Sequence, residues 1–143
     1  MAIINTASAK WSGGLKDGKG TISTQSGVLS QQAYGFTTRF EGDAGTNPEE
    51  LIGAAHAGCF TMALSKVLGD AGMTAESLET TATVTLDKEG EGFAIKKIEL
   101  ELTAAIPGAD KTAFEDAAQA AKENCPISKL FNTEITLSTT LNA

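Results

Sequence analysis

The feature that most constrains the fold is one long helical segment in the first half of the chain. Asn47 is a good helix N-cap, and Pro48 suits the first helical position. The pattern predicts a helix from Pro48 to about Ala71 that is ended by Gly72. Because residues 51–64 are apolar or small nearly all round, we expect this helix to be buried on most sides. The sequence therefore predicts a central helix rather than a surface helix.

Before this helix, short segments have the period-two alternation typical of β-strands, and turn dipeptides separate them. The strand candidates are Ala9 to Trp11, Thr21 to Thr24, Val28 to Gln31 and Tyr34 to Phe40. In the last of these, alternation places the aromatic residues on one face. Arg39 is therefore expected to project from the opposite face.

After the helix, two longer alternating segments predict a β-hairpin. They are Thr80 to Asp87 and Phe93 to Ala104, with residues 88–92 as their connection. Side chains on one face of the second strand are the expected core side, and these are Lys96, Ile98, Leu100 and Leu102.

The last third of the chain predicts a second helix and a final strand. Asp110 is the expected N-cap, and the helix should end near Asn124 because Pro126 disfavours a helical residue before it. An amphipathic stripe recurs at helical spacing: Phe114, Ala117, Ala118 and Ala121. The remaining elements are a short turn, Ile127 to Asn132, and a strand, Glu134 to Leu141. The whole order predicts an α+β fold in a single domain of residues 1–143.

The charge balance argues against several classes of partner. The chain has 11 Lys and Arg against 18 Asp and Glu, a net charge of −7, with no basic run. Nucleic acid and anionic lipid are therefore not expected as partners. The N-terminus lacks the features of a secretory signal. The apolar stretch Leu51 to Leu68, interrupted by His56 and Lys66, is interpreted as too polar and too short to cross a membrane. We expect a cytoplasmic protein.

The two cysteines, Cys59 and Cys125, are the residues most open to chemistry. A chain of 143 residues in a reducing compartment needs no permanent disulfide, which leaves packed core thiols, a metal site or redox chemistry. Cys59 lies in an apolar helical sequence, which is expected to raise its pKa unless a cation lies nearby. Its own helix supplies none close by, since Lys66 is about two turns away.

Arg39 is the best candidate for the missing cation. Its guanidinium can stabilise a thiolate and donate hydrogen bonds to a peroxide oxygen, and Glu49 can orient it through a bidentate pair. The competing interpretation is a surface ion pair of little energetic value. Glu49 and Cys59 are ten residues apart, which is about 15 Å along a straight helix. They share a site within one chain only if the helix breaks, for example at Gly53. Otherwise the site is shared across a dimer interface.

Cys125 and His56 each leave alternatives open. Cys125 falls at a helix end before proline, where we expect it to be accessible, which suits a resolving thiol as well as it suits a packed cysteine. His56 is three residues before Cys59, so His56, Cys59 and Cys125 are candidate metal ligands, although no fourth ligand is evident. A buried structural histidine is the simpler interpretation. His56 as a base for Cys59 lacks an orienting carboxylate at a clear spacing.

Three stretches of the sequence resemble the OsmC/Ohr family of bacterial hydroperoxide reductases. They are TNPEELIGAAHAGCFTMAL at 46–64, NCPIS at 124–128 and QQAYGFTTRFEG at 31–42. The resemblance covers essentially the whole chain. QQAYGFTTRF and SGVL are more similar to the osmotically inducible OsmC branch than to the organic hydroperoxide resistance branch.

The resemblance implies a fold and a mechanism. The fold has antiparallel sheets wrapped around a central buried helix in an intertwined homodimer, with two active sites at the interface. Cys59 is implied to be the peroxidatic cysteine and Cys125 the resolving one, with Arg39 and Glu49 completing the site. The implied substrates are organic hydroperoxides, and hydrogen peroxide as a further candidate. A dithiol or lipoyl-protein is the implied reductant, in defence against oxidative and osmotic stress.

The implied peroxidase needs neither a metal nor an organic cofactor. Three further interpretations belong to other classes of protein. The same cysteine pair suits a redox sensor without catalytic turnover, or a dimeric protein that binds apolar ligands. A small metalloprotein using His56, Cys59 and Cys125 is the third.

Overall fold

The computed structural model describes residues 1–143, and the chain divides into two compact units, Met1–Leu51 and Ile52–Ala143. Strands and helices follow one another in separate runs along the chain, so the predicted α+β class is confirmed. The assignment of all 143 residues to one domain stays a prediction.

The first unit contains a three-stranded antiparallel sheet. Its strands are β1 (Ala7–Ser12), β2 (Lys19–Thr24) and β3 (Gln32–Tyr34), and they lie in sequence order. The strands predicted around Trp11 and over Thr21 to Thr24 are confirmed. The strand predicted from Val28 to Gln31 is wrong, because the Thr24 amide donates to the Leu29 carbonyl at 2.8 Å and closes a loop there.

The strand predicted from Tyr34 to Phe40 is also wrong beyond its first residue. The chain turns at Gly35 into a short helix, α1 (Phe36–Phe40). The Gly35 amide donates to the Thr38 hydroxyl at 2.8 Å, and the same hydroxyl donates to the Gly35 carbonyl at 3.0 Å. These local bonds fix a helical turn, so Arg39 lies on α1 and not on the polar face of a strand.

The long helix α2 (Pro48–Asp70) has the predicted start and end. Asn47 accepts a hydrogen bond from the Glu50 amide at 2.8 Å, as an N-cap does. Gly72 follows the helix with φ of 78°, the left-handed conformation in which glycine ends helices. The helix is continuous through Gly53.

Burial of α2 differs from the prediction. The buried residues follow a single stripe: Gly53, His56, Phe60, Leu64 and Leu68. Other positions are exposed within the chain, and Met62 keeps 76% of its surface. The expectation that most sides are buried is therefore wrong for the single chain, because only one face packs in its core.

By length and composition, the 23 residues of α2 are long and apolar enough to cross a membrane. The argument that this stretch is too short and too polar is therefore wrong on both counts. The core helix of a soluble protein passes the same test. The buried stripe of α2 packs in the core of the second unit.

The second unit contains a sheet of three strands and two further helices. Its elements are β4 (Ser77–Glu89), β5 (Gly92–Ala105), α3 (Lys111–Asn124), α4 (Pro126–Leu130) and β6 (Glu134–Asn142). The predicted hairpin, second helix and final strand are confirmed. Helix α4 replaces the predicted turn at 127–132. The sheet order is β4-β5-β6, and β5 pairs antiparallel with β4 but parallel with β6. The implied purely antiparallel sheet is therefore wrong for one pair.

The core of the second unit joins α2, β5 and α3. The predicted core side of β5 is confirmed at Ile98, Leu100 and Leu102, which are at most 2% exposed. Lys96 is an exception, because a bulge opposite Thr85 and Leu86 displaces it from the inward register. The predicted stripe of α3 is buried in full, and Asp110 caps this helix by accepting from the Ala113 amide at 2.8 Å.

Candidate active site

The structure brings Cys59 and Cys125 together. Cys59 lies half-buried on α2, and Cys125 is fully buried between α3 and α4. Both are free thiols, and the two side chains are within hydrogen-bonding contact. Formation of a disulfide between them would replace this contact with a covalent bond.

The expected accessibility of Cys125 is wrong. Pro126 ends α3 as predicted, but it is also the first residue of α4, so no flexible segment separates the two helices. Cys125 is the C-cap of one helix and the N-cap of the next. Its amide donates to the Ala121 carbonyl at 3.0 Å, and its sulfur accepts from the Ser128 amide at 3.3 Å. These bonds hold the thiol in the core.

Burial raises the pKa of the Cys59 thiol above its ordinary value, as the apolar helix predicts. A hydrogen bond from the Ile127 backbone amide acts in the opposite direction. Contact with Cys125 raises the pKa further. No cation contributes in the single chain, so the positive charge that a reactive thiolate requires is not supplied locally.

A chain of hydrogen bonds links His56 to Cys125. His56 is fully buried, and its Nε2 lies 2.7 Å from the Ser128 hydroxyl. That hydroxyl lies 3.2 Å from the Cys125 sulfur. The His56 ring also packs edge-to-face with the Phe131 ring, with ring centroids 5.5 Å apart. The buried histidine is confirmed, and its ring nitrogen is directed to the serine.

The structure contains no group of three or more His, Cys, Asp or Glu side chains arranged to hold a metal ion. The candidate set of His56, Cys59 and Cys125 is not such a group. Instead, Ser128 occupies the place on His56 Nε2 where a ligand would bind.

In the first unit the structure brings Arg39 and Glu49 together. Arg39 Nε donates to both carboxylate oxygens of Glu49, at 3.0 and 3.1 Å, and its Nη2 donates to Oε1 as well. The Glu49 side chain is 12% exposed and that of Arg39 is 36% exposed. This bidentate, half-buried geometry is more specific than that of an ordinary surface ion pair.

A cavity of about 190 Å³ lies beside Arg39 in the first unit. Most of its wall is apolar or aromatic, and its lining includes Trp11, Leu15, Tyr34, Phe36, Arg39 and Phe40. Such a cavity suits a small apolar molecule whose polar end meets the guanidinium.

Sequence reasoning missed Ser128 and the Ile127 amide as parts of the thiol site. A signal was present in NCPIS, because proline after a capping residue starts a helix as readily as it ends one. A helix that begins at Pro126 places the amides of Ile127 and Ser128 in its first turn, where they are free to donate to the two sulfurs.

Comparison with known proteins identifies the family. The model of the OsmC-like protein family matches residues 40–140. The chain belongs to the OsmC family. Peroxiredoxin OsmC of Escherichia coli (strain K12) is 58% identical to it over 137 residues, which cover 96% of each chain.

The Ohr relatives of the OsmC family are more distant. Organic hydroperoxide resistance protein OhrB of Bacillus subtilis (strain 168) is 32% identical over 111 residues, 77% of this chain and 79% of that one. The crystal structure of OhrB of Bacillus subtilis superposes with a TM-score of 0.71 at 29% identity, covering 94% of this chain and 98% of that chain. The resemblance seen in the sequence and its implied fold class are thus confirmed.

Proposed function

We propose that this OsmC-family protein reduces organic hydroperoxides with Cys59 as the peroxidatic thiol and Cys125 as the resolving thiol. The chain is a thiol peroxidase of stress defence, in keeping with relatives named peroxiredoxin and organic hydroperoxide resistance protein. The observation that carries the residue assignment is the contact between two free thiols in one core, one half-buried and one fully buried.

The chemistry proceeds in three steps. The Cys59 thiolate attacks the distal oxygen of the hydroperoxide, which breaks the O–O bond, forms a sulfenic acid and releases an alcoholate that is protonated to the alcohol. Cys125 then attacks the sulfenic sulfur, forming the disulfide and releasing water. A dithiol then exchanges with the disulfide and returns both cysteines to thiols, and a lipoyl-protein is the dithiol that the resemblance implies.

The assignment of roles follows from exposure. A peroxidatic thiol must meet substrate, and Cys59 is the half-buried member of the pair. Cys125 is enclosed in the core and contacts the sulfur that it has to reach. Return of the disulfide to two thiols in each cycle requires a reducing compartment, so we propose a cytoplasmic location.

Arg39 and Glu49 complete the site in this proposal. The carboxylate fixes the guanidinium, which can then stabilise a thiolate and polarise a peroxide. The aromatic cavity beside Arg39 suits the apolar part of an organic hydroperoxide. Because the Cys59 thiol has a raised pKa and no cation of its own, the arginine has a clear chemical task.

We also propose that the active form is a homodimer in which Arg39 and Glu49 serve the partner's Cys59. Helix α2 is continuous through Gly53, so the ten-residue spacing of Glu49 and Cys59 is not shortened by a break. Small and apolar residues on the exposed side of α2 supply a surface for a second copy: Ala54, Ala55, Gly58 and Met62. An added Cβ at Gly58 would meet no atom within 4 Å in the single chain.

Peroxide turnover tests the cysteine roles. Wild type should consume many equivalents of cumene hydroperoxide when a dithiol is supplied, whereas a sensor is oxidised once and stops. Cys59→Ser should abolish consumption. Cys125→Ser, which makes the same sulfur-to-oxygen exchange at the other cysteine, should still form one sulfenic acid per chain, trapped by dimedone on Cys59. Turnover by Cys59→Ser, or trapping on Cys125 in the wild type, would contradict the assignment.

Sedimentation tests the dimer. Met62→Glu places a charge on the exposed side of α2 and should shift the protein to monomer, with loss of peroxide consumption. Thr112→Glu is the matched control, because it adds the same charge at an exposed position on α3 and should leave the dimer intact. A wild type that sediments as a monomer at micromolar concentration refutes the shared site.

A further inference from the structure

The thiol site contains a buried polar pair that the peroxidase reaction described above does not use. His56 and Ser128 are joined by a hydrogen bond of 2.7 Å, and Ser128 continues to the Cys125 sulfur at 3.2 Å. Both side chains are at most 8% exposed. A buried polar group is costly unless it has a partner, and His56 Nδ1 has none. Packing alone would not offset the desolvation cost of this histidine.

We propose that Ser128 and His56 form a proton relay that deprotonates Cys125 when it attacks the sulfenic acid of Cys59. Ser128 is a catalytic residue in this step because it touches the reacting sulfur. His56 acts through Ser128 and is a positioning residue, which orients the hydroxyl and takes up the proton that the hydroxyl passes on. The proposal rests on the peroxidase function proposed above.

Closure of the disulfide begins with a proton transfer through Ser128. The Cys125 thiol gives its proton to the Ser128 oxygen while the Ser128 hydroxyl proton moves to His56 Nε2, which leaves a thiolate beside an imidazolium. The thiolate sulfur attacks the Cys59 sulfur, the S–S bond forms and the S–O bond breaks. Cys125 sulfur is oxidised and the sulfenic sulfur is reduced by the same electron pair. Hydroxide leaves, and the borrowed proton converts it to water.

The geometry of the site gives Cys125 a reason to need such a base. Its sulfur is fully buried, so water has no direct access to remove the proton. The amide of Ser128 also donates to this sulfur, at 3.3 Å, which favours the thiolate once it forms. The hydroxyl and the backbone amide of Ser128 therefore both act on the Cys125 sulfur.

The protonation state of His56 agrees with this role. Burial lowers the pKa of His56 below its ordinary value, so the ring is neutral near pH 7 and one nitrogen has a free lone pair. Among titratable groups, the thiol of Cys125, between α3 and α4, contacts Ser128, and the thiol of Cys59, on α2, contacts Cys125 in turn. Phe131, which follows α4, contributes only an apolar ring. No carboxylate or cation adds to the shift at His56.

The test separates the two oxidation steps in a single turnover. Wild type, His56→Gln and Ser128→Ala are mixed with cumene hydroperoxide, quenched at intervals with dimedone, and analysed by mass spectrometry for Cys59 sulfenic acid and the Cys59–Cys125 disulfide. His56→Gln keeps a hydrogen-bonding atom near the place of Nε2 but has no basic nitrogen. Ser128→Ala removes the hydroxyl and is the second route to the same answer if the glutamine variant does not fold.

We expect sulfenic acid to form at the wild-type rate in both variants and disulfide formation to slow by about 10- to 100-fold near pH 7. The ratio of wild-type to variant rates should shrink as pH rises, because hydroxide can then replace the missing base. A purely structural role slows the disulfide step by the same factor at every pH, and that result would overturn the relay. So would an unchanged disulfide rate. If the wild type forms no sulfenic acid on Cys59, the peroxidase proposal itself fails, and the relay fails with it.

Discussion

The pairing of Arg39 with Glu49 makes the sharpest energetic prediction. Removing the arginine, as in Arg39→Met, leaves a carboxylate that is only 12% exposed without the guanidinium that satisfies both of its oxygens. Removing the charge of Glu49, as in Glu49→Gln, leaves an arginine that is 36% exposed and that water can still solvate. The arginine variant should therefore lose more stability than the glutamine variant.

The magnitude follows from the geometry. Fully exposed ion pairs couple by about 0.2–1 kcal/mol, and removal of one partner of a fully buried pair costs about 3–5 kcal/mol. The Arg39–Glu49 pair lies between these limits, so we expect a loss of about 2–3 kcal/mol for Arg39→Met. Glu49→Gln should cost about 1 kcal/mol, and the double-mutant cycle should give a coupling of about 1–2 kcal/mol.

Urea unfolding followed by tryptophan fluorescence measures this cycle. Trp11 is the single tryptophan of the chain, it lies on β1 in the first unit, and it lines the same cavity as Arg39. Its signal therefore reports on the part of the protein that the pair belongs to. Protein concentration is held fixed across the series, because association also contributes to stability.

A second ion pair in the chain supplies the control. Lys66 and Asp70 are four residues apart on α2 with side chains 79% and 68% exposed. A cycle with Lys66→Met and Asp70→Asn should give no more than about 0.5 kcal/mol. An Arg39–Glu49 coupling energy no larger than that of the control pair would identify an ordinary surface ion pair. It would remove the energetic argument that Glu49 holds the Arg39 guanidinium in place.

Two further measurements test the thiol contact and the core. Cys125→Ala should lower the pKa of Cys59, because the contact with Cys125 raises it. Ultraviolet titration of the thiolate measures this pKa, and an unchanged value would mean that the two thiols do not touch. Leu64→Ala should lower the free energy of unfolding in urea by about 2–5 kcal/mol, because the Leu64 side chain is fully buried. Leu130→Ala, at a residue 72% exposed, should lower it much less. Equal losses in the two variants would mean that the assigned core is wrong.

Much of the fold could be predicted because its signals are local. Asn47 and Pro48 mark the start of α2, and Gly72 marks its end, by rules that involve only neighbouring residues. The α3 stripe and the β4–β5 hairpin are equally local. The strongest elements of the second unit therefore follow from periodicity and caps.

Elements that depend on the hydrogen bonds of a single side chain were not predictable in the same way. Phe36 and Phe40 satisfy the spacing of a strand face, being an even number of residues apart, and also the i, i+4 spacing of a helix. The Thr38 hydroxyl decides for the helix by bonding to Gly35. Alternation alone gave the wrong answer for Arg39.

In the candidate site, too, some features were predictable from the local sequence and others depend on tertiary packing. The sequence names Cys59, Cys125, Arg39 and Glu49, because these residue types carry the chemistry. It does not place Ser128 beside His56, since that hydrogen bond joins residues far apart in the chain and depends on the tertiary packing of α2 against α4. The burial of Cys125 follows from the same packing.

The two thiols face different obstacles, and the proposed mechanism removes each by a different route. Cys59 is half-buried and its thiolate lacks a counter-charge in the single chain, so its activation requires a cation from elsewhere. Cys125 already has an amide donor at its sulfur, but the thiol is buried and cannot pass its proton directly to water. An arginine suits the first need because it stabilises charge without exchanging a proton. A neutral histidine suits the second because it accepts one. Peroxide reduction at Cys59 should therefore depend on assembly, whereas closure of the disulfide should depend on residues within one chain.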